Sequence, residues 1–170
     1  ILNHPCLVSV AKETGQAASS LQAENILKMW ARRFGQHTGN YIWIKNQDCD
    51  PQLHQMSLAV GTGGLLVYMP PGGLAGSPYA TLMGRPVLDL EFCQTLGTKG
   101  DIYLSDFSQF VGAMRGGIRT AMSIHLYFNT GQRAYRIDAR FDGQPMWHTA
   151  LTPFKGTNTQ SPFISLDLRA

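Results

Sequence analysis

The chain has 170 residues, of which 44% are hydrophobic and only 15% are charged. The charged fraction is well below the ~25% usual in soluble proteins, and the net charge of +3 comes without a basic run, which argues against a dedicated nucleic-acid binder. Three widely separated cysteines argue against a disulfide framework, and no run of about 18 apolar residues marks a membrane span.

Helical signals are confined to the first third of the chain. Ser19 or Ser20 is suited to cap a helix, with Gln22 completing a capping box three residues after Ser19. The apolar residues that follow share one helical face: Leu27, Trp30, Ala31 and Phe34. Gly35 is a suitable terminator. These features predict an amphipathic helix over about residues 20–34.

A strand, a second helix and a loop are predicted next. Residues 41–44 are β-branched and aromatic, which indicates a buried strand. Asp50 is predicted to cap a short helix with Pro51 at its first position. Six glycines and three prolines between residues 61 and 78 predict an irregular, exposed loop around an apolar patch at 65–68.

From Pro86 onward the chain has mainly β character. Strands are predicted at residues 87–91, 102–104, 110–114, 118–128, 133–141, 146–149 and 163–168. Asp142-Gly143 is typical of a hairpin turn, and Gly116-Gly117 would allow a tight reversal between the third and fourth of these strands. With helices first and strands after, we predict one compact α+β body.

No pattern in the chain predicts a catalytic or metal site. The five histidines are never at HxH or HxxxH spacing, and the glycines at 61–64 lack the GK[ST] ending of a phosphate loop. Asp106 and Ser108 are suited to shaping a turn after a strand, and Asp89 and Glu91 are assigned to the solvent face of a strand. We therefore expect no catalysis, no cofactor and no metal.

Two ordered stretches carry a family resemblance. They are residues 81–88 (TLMGRPVL) and residues 101–111 (DIYLSDFSQFV), the latter followed by the basic turn RGGIR at 115–119. This order resembles the major capsid proteins of tailed double-stranded DNA bacteriophages, which share the Hong-Kong-97-type shell fold. The family pattern is an LxGxPV strand followed by an apolar strand ending in GDFS. The matching residues are Leu82, Gly84, Pro86 and Val87, then Asp106, Phe107 and Ser108, with Ser105 where the family more often has Gly.

The resemblance extends outward over nearly the whole chain. Residues 1–3 resemble the segment that leaves the family's long spine helix, 21–34 the following helix, 41–46 its WVMN strand and 132–143 its long strand and hairpin. The resemblance thus implies an α+β fold of the Hong-Kong-97 type.

By this resemblance, residues 1–150 would form an axial-domain-like α+β body. Residues 151–170 would form one or more C-terminal strands that belong to the peripheral domain. The family's arm, extended loop and spine helix would precede Ile1. Because those parts make many contacts between subunits, we expect this stretch to be soluble and not to form closed shells alone.

The function implied by the resemblance is structural. The chain would be a subunit of a phage or prophage icosahedral head, made in the bacterial host cytoplasm and carried in the virion. It would assemble with copies of itself in capsomers. The full-length protein would also meet portal, scaffold or protease and, non-specifically, packaged DNA, but no membrane. Alternatives are an encapsulin-type compartment shell, a small α+β enzyme with ligands distant in sequence, and a peptide-binding module using an exposed strand edge.

Subunit contacts are expected to be non-covalent. Some family members join a Lys to an Asn through an isopeptide bond promoted by a Glu, but the corresponding stretch 132–141 (QRAYRIDARF) contains neither Asn nor Glu. We therefore predict no self-crosslinking. Arginine is favoured over lysine at interfaces, and the candidate subunit-interface residues are Arg115, Arg119, Arg136 and Arg140.

Overall fold

The computed structural model describes residues 1–60, 63–66, 68 and 81–169, without the side chains of residues 36–38, 57–60 and 63–66. Its contacts divide the chain into two compact units. The first, called the body, comprises Ile1–Gln109 and Trp147–Ala170, and the second, called the ribbon, comprises Phe110–Met146. The expectation of one compact body is therefore wrong.

Among the residues described, α-helices occur only early in the body, as predicted. They are α1 (Ala23–Ala31) and α2 (Asp50–Gln55), accompanied by 3-10 turns at Gly35–Asn40, Gln47–Cys49 and Phe107–Gln109. The predicted capping of α1 by serine is wrong. Gln22 is the N-cap, and its backbone N–H donates to Asn25 Oδ1 at 3.0 Å, while Ser20 Oγ donates to the Ala17 carbonyl.

The buried face of α1 also differs from the prediction. Ala23, Ile26 and Met29 are buried, whereas Leu27 is 45% exposed. Both sets of apolar residues have helical spacing, so periodicity alone does not decide between them. The packing partner decides, because α1 lies against the strands Val8–Val10 and Phe163–Leu166.

A six-stranded mixed sheet forms the centre of the body, in the order β1-β12-β7-β2-β6-β5. Its strands are β1 (Val8–Val10), β2 (Ile42–Lys45), β5 (Thr81–Leu82), β6 (Arg85–Asp89), β7 (Ile102–Ser105) and β12 (Phe163–Leu166). The β1–β12 and β2–β6 pairs are parallel, and the other pairs are antiparallel. The sequence did not predict β1, whose three residues are too few to show a period.

One hydrophobic core lies between this sheet and the helices. Trp43 is fully buried, and its indole N–H donates to the Leu82 carbonyl at 2.9 Å. Around it lie buried residues from both helices and most strands, among them Val8, Ile26, Met29, Leu53, Leu104 and Ile164. Pairing a polar indole edge with a backbone carbonyl allows Trp43 to be buried without an unsatisfied donor.

The C-terminal strand belongs to this same sheet. β12 pairs with both β1 and β7, so residues 163–166 lie within the body. The compact units therefore divide the chain at positions other than the predicted boundary at residue 150, because strand pairing brings the two ends of the chain together. Which unit corresponds to the axial or the peripheral domain stays a prediction.

The ribbon contains four strands: β8 (Phe110–Met114), β9 (Arg119–Tyr127), β10 (Gln132–Asp138) and β11 (Phe141–Pro145). β8 pairs with β11 and β9 with β10, both antiparallel. The chain reverses at the 3-10 turn Phe128–Thr130 and Gly131, whose φ is +67°. Because β8 does not pair with β9, the predicted reversal at Gly116-Gly117 is wrong.

Two further predictions in this region fail. Asp142 and Gly143 lie inside β11 opposite Ala113 and Gly112, so they do not form a hairpin turn. An added Cβ on Gly143 would come within 2.6 Å of the Phe110 ring, so the glycine is required by ring packing across the strands. Residues 146–149 form no strand.

A short antiparallel hairpin of β3 (Ser57–Val60) and β4 (Gly63–Leu66) precedes the undescribed stretch. Part of the predicted loop at 61–78 is therefore strand. Apart from 63–66 and Tyr68, which is buried, the remainder of that predicted loop lies outside the described residues.

Candidate assembly interface

The ribbon has two chemically different faces over β9 and β10. Directly opposed residues share a face in an antiparallel pair, and side chains alternate along each strand. The pairs Met122 with Tyr135 and Thr120 with Ile137 therefore lie on one face. The opposite face carries Arg119 with Asp138, Ala121 with Arg136, and Ser123 with Ala134. One face is apolar and the other is charged or small.

A double bulge separates the two halves of the ribbon. Four residues, 115–118, lie between β8 and β9, while only two, 139–140, lie between β10 and β11. The ladder continues across it, since the Arg115 N–H donates to the Arg140 carbonyl at 3.0 Å. Gly116 has a φ of +73°, the left-handed conformation that glycine adopts without strain. Bulges of this kind bend the strand and redirect its side chains.

All four arginines predicted from the sequence line one cavity at this bulge. The cavity has a volume of about 810 Å³. Its lining residues are Arg115, Gly117, Arg119, Thr120, Ala121, Arg136, Ile137, Asp138, Ala139 and Arg140. Residues 25 positions apart in sequence meet there because β9 and β10 are opposite strands of one hairpin. We call Arg115, Arg119, Arg136 and Arg140 the arginine cluster.

Only one arginine of the cluster is paired within the described part of the chain. Arg136 Nε donates to Asp138 Oδ2 at 2.8 Å, in an exposed ion pair. The side chains of Arg115, Arg119 and Arg140 make no hydrogen bond or ion pair among the described residues, and all are exposed. Four guanidinium groups facing one carboxylate leave a net positive cavity suited to an anionic group.

The net charge of the chain resides in the ribbon. Residues 110–146 hold five arginines, no lysine and two aspartates, a net charge of +3. The other nine basic residues of the chain balance its other nine acidic residues. A short, polarised surface of this kind attracts an oppositely charged partner over several ångströms.

The sequence did not predict that one face of the ribbon is apolar and exposed. Tyr135 and Ile137 are 71% and 70% exposed, and Met122 and Ile124 are also exposed. Met122, Ile124 and Leu126 alternate with other residues in the sequence, and this period of two predicts a half-buried strand. The pattern does not predict which surface covers the apolar side of that strand. Contiguous apolar patches on a protein surface mark interaction sites.

Among the residues described, no three His, Cys, Asp or Glu side chains come together as potential metal ligands. Asp106 Oδ1 accepts hydrogen bonds from Ser108 N at 3.0 Å and Ser108 Oγ at 2.6 Å, which confirms the predicted turn-shaping role. Burial, with the nearby Asp101 carboxylate, raises the pKa of Cys49 to about 12 and also raises the pKa of Cys93. Both thiols are therefore protonated at neutral pH and are poor nucleophiles.

Lys45 is a buried charge that the sequence did not reveal. Its side chain is buried, and its ammonium group forms ion pairs with Asp50 and Asp89. Burial by itself lowers the pKa of Lys45, but hydrogen bonds and charges from the two carboxylates outweigh it and raise the pKa overall. Asp89, assigned to the solvent face, is thus exposed but holds this lysine. A protonated lysine has no free electron pair and is therefore not a nucleophile. We interpret the cluster of Lys45, Asp50 and Asp89 as structural.

None of the helices in the described part of the chain combines the length and the apolar character needed to cross a membrane.

Comparison with known proteins points to one family. A family model described as the phage capsid family matches residues 1–156. No curated protein sequence matches the chain significantly.

Two solved structures share the fold. The chain is similar to the capsid of an empty GTA (gene transfer agent) particle, with a TM-score of 0.67, 16% identity, and coverage of 99% of this chain and 56% of that one. It is also similar to the capsid of a native GTA particle, with a TM-score of 0.64, 18% identity, and coverage of 96% and 50%. The chain thus spans about half the length of each. The predicted α+β capsid-type fold is confirmed, and the chain belongs to the phage capsid family.

Proposed function

We propose that this chain is a structural subunit of a phage or prophage icosahedral head and works by assembling with copies of itself. Family membership over residues 1–156 carries the proposal. The ribbon supports it independently, because an isolated two-stranded hairpin is marginally stable in water and this one exposes a whole apolar face. Burial of this apolar face requires a second surface, which contact with another copy of the chain would supply.

The finer parts of the proposal concern the complete head. We propose that the arginine cluster lies at a contact between subunits and that the chain has no enzymatic role. We also propose that the whole protein is made in the host cytoplasm, resides in the virion, and meets portal, scaffold or protease and packaged DNA.

Fractionation of the producing cells tests the proposed role. An antibody raised against this chain should label sedimenting head particles from a lysate, and electron microscopy should show that labelled material as closed shells. Recovery of the protein only from the non-sedimenting fraction would contradict a shell function. Recovery in shells enclosing protein cargo, without DNA, would instead favour the encapsulin-type compartment.

Two properties of the purified chain sharpen the proposal. We expect oligomers of capsomer size or smaller in sedimentation velocity, with no closed shells from this stretch by itself. Denaturing gels of mature particles should show a single band, because residues 132–141 lack the Asn and Glu needed for an isopeptide bond. A ladder of covalent multimers would overturn the non-covalent assignment.

A further inference from the structure

The arginine cluster requires an anionic partner that the described part of its own chain does not supply. Three of its four guanidinium groups are unpaired there. A matching surface would therefore present a free carboxylate. Arginine also stacks on aromatic rings, so an aromatic residue beside the carboxylate would fit better than an aliphatic one.

Most acidic side chains of the body are already engaged. Asp101 is buried against Arg169, Glu13 pairs with Lys28, and Asp50 and Asp89 hold Lys45. Among the described residues of the body, the exposed acids without a side-chain partner are Glu24, Asp48 and Glu91. These three carboxylates are the candidates that a second copy of the chain could present to the arginine cluster.

Glu91 differs from the other two in its surroundings. It follows the end of β6, and the residues on either side of it, Leu90 and Phe92, are exposed. Phe92 is 94% exposed, so no described part of the chain covers its large aromatic ring. Glu91 thus combines a free carboxylate, an exposed aromatic neighbour and an accessible loop position. Glu24, on α1, is flanked by buried Ala23 and Asn25.

We propose that Glu91 and Phe92 of one copy dock into the arginine cluster of a second copy. The Glu91 carboxylate accepts hydrogen bonds from the unpaired guanidinium groups, while the Phe92 ring stacks on an arginine side chain. This inference rests on the proposed shell function and adds to it the identity of the two mating surfaces. Each chain contributes its body surface to one neighbour and its ribbon surface to the other. Such head-to-tail contacts close into rings when the rotation between copies permits.

Charge reversal provides a direct test. The ribbon variant carries Arg119→Glu and Arg140→Glu, leaving Arg136 with Asp138, and the segment variant carries Glu91→Arg. All three positions are exposed, so both variants should fold, which circular dichroism checks. In sedimentation velocity we expect the wild-type chain to self-associate with concentration, and each variant alone to associate about tenfold more weakly. A mixture of the two variants should regain association, because an acidic ribbon then meets a basic segment.

Controls separate this inference from the proposed function. Glu24→Arg reverses an exposed acid outside the segment and should leave association unchanged. A wild-type chain that never associates would contradict both the proposed function and this inference. A wild-type chain that associates regardless of either reversal, or a mixture that does not recover, would overturn the docking alone.

Nucleic acid is the competing partner for an arginine cluster. A gel-shift assay with a duplex of about 30 base pairs tests it, since phosphate contacts depend steeply on salt. We expect weak binding that is equal for the wild-type chain and the Glu91→Arg variant. Loss of duplex binding in the ribbon variant, with self-association unchanged, would assign the cluster to DNA and overturn the docking.

Discussion

In the body, Trp43 and Leu104 are fully buried, whereas in the ribbon Leu126 has 66% of its surface exposed. The two units use the same apolar residue types, so composition does not explain the difference. The body stacks helices on a six-stranded sheet, while the ribbon is two strands wide and has no layer of its own to cover its apolar face. A sheet needs a second layer to bury its hydrophobic side. The apolar face of the ribbon is therefore exposed in the single chain, and we expect a surface outside the ribbon to cover it.

Their ion pairs show the same contrast. In the body, Arg169 and Asp101 are both fully buried, and Arg169 Nε also donates to the Ser20 carbonyl at 2.6 Å. Asp101 Oδ2 additionally accepts from the Gly97 N–H at 3.0 Å. In the ribbon, the Arg136–Asp138 pair is largely solvated. Buried pairs are costly to break from one side, whereas exposed pairs contribute little.

The largest expected effect comes from removing one half of the buried pair. Arg169→Ala leaves the Asp101 carboxylate buried without its charge partner, which should lower the free energy of unfolding by about 3–5 kcal/mol. Arg136→Ala in the ribbon should change it by at most about 1 kcal/mol. Urea denaturation followed by circular dichroism measures both. Equal effects would show that the Arg169 pair is not buried in solution.

The next largest effect is expected from replacing one leucine by alanine, in the body and in the ribbon separately. Leu104→Ala opens a cavity in the core and should destabilise by about 2–5 kcal/mol. Leu126→Ala removes an exposed side chain and should stay within about 0.5 kcal/mol in the dissociated chain. Thermal unfolding at low concentration compares them. A large effect of Leu126→Ala under those conditions would mean that the ribbon is already covered within one chain.

A smaller effect is expected at Tyr41, a buried phenol in the body. Its hydroxyl donates to the Ser161 carbonyl at 3.0 Å and accepts from the Phe34 N–H at 2.9 Å. Tyr41→Phe leaves both backbone groups without this partner, which should cost about 1–3 kcal/mol.

The same residue predicts a pH dependence. Burial raises the pKa of Tyr41 to about 12, above the ~10 of an unfolded chain. The folded state therefore holds a proton that the unfolded state releases, and stability should fall as the pH rises from about 10 towards about 12. Denaturation midpoints across that range should decline less steeply for Tyr41→Phe than for the wild type. Parallel slopes would contradict the assignment.

The smallest free energies should belong to local opening of the ribbon. The backbone hydrogen bonds of the ribbon are exposed to solvent and have no covering layer. The amides of β9 and β10 should therefore exchange through local openings whose free energy is near zero. Amides of β2 and β7, at the centre of the body sheet, should approach the global value. Hydrogen exchange with mass spectrometry resolves the two, and ribbon protection equal to that of the body would refute the contrast.

Local signals in the sequence predicted much of the secondary structure. β8 has the predicted bounds, α2 begins one residue earlier than predicted, with Cys49 in place of Asp50 as its N-cap, and β2 overlaps the predicted strand at 41–44. The prediction failed where two interpretations were locally equal. The Asp142-Gly143 pair is a strong turn signal in isolation, but the Phe110 ring packed against Gly143 places it within a strand.

The candidate interface was predicted in its residues but not in its geometry. The choice of Arg115, Arg119, Arg136 and Arg140 followed from residue type and a family resemblance, and the hairpin then brings all four to one cavity. The solvent exposure of Glu91 was predicted, but the exposed apolar face and the exposed ring of Phe92 were not. Exposure depends on which other segments cover a residue, and strand pairing between distant segments decides that.

The sequence by itself determined the α+β class, the capsid-family membership carried by ordered motifs, and the arginines that give the chain its net charge. These properties depend on residue identity and on near neighbours along the chain. Tertiary structure alone decided that the two ends of the chain share one sheet, that Lys45 and Arg169 are buried, and that residues 110–146 form a separate ribbon. Each of these depends on contacts between segments far apart in sequence, whose free energies no local pattern records.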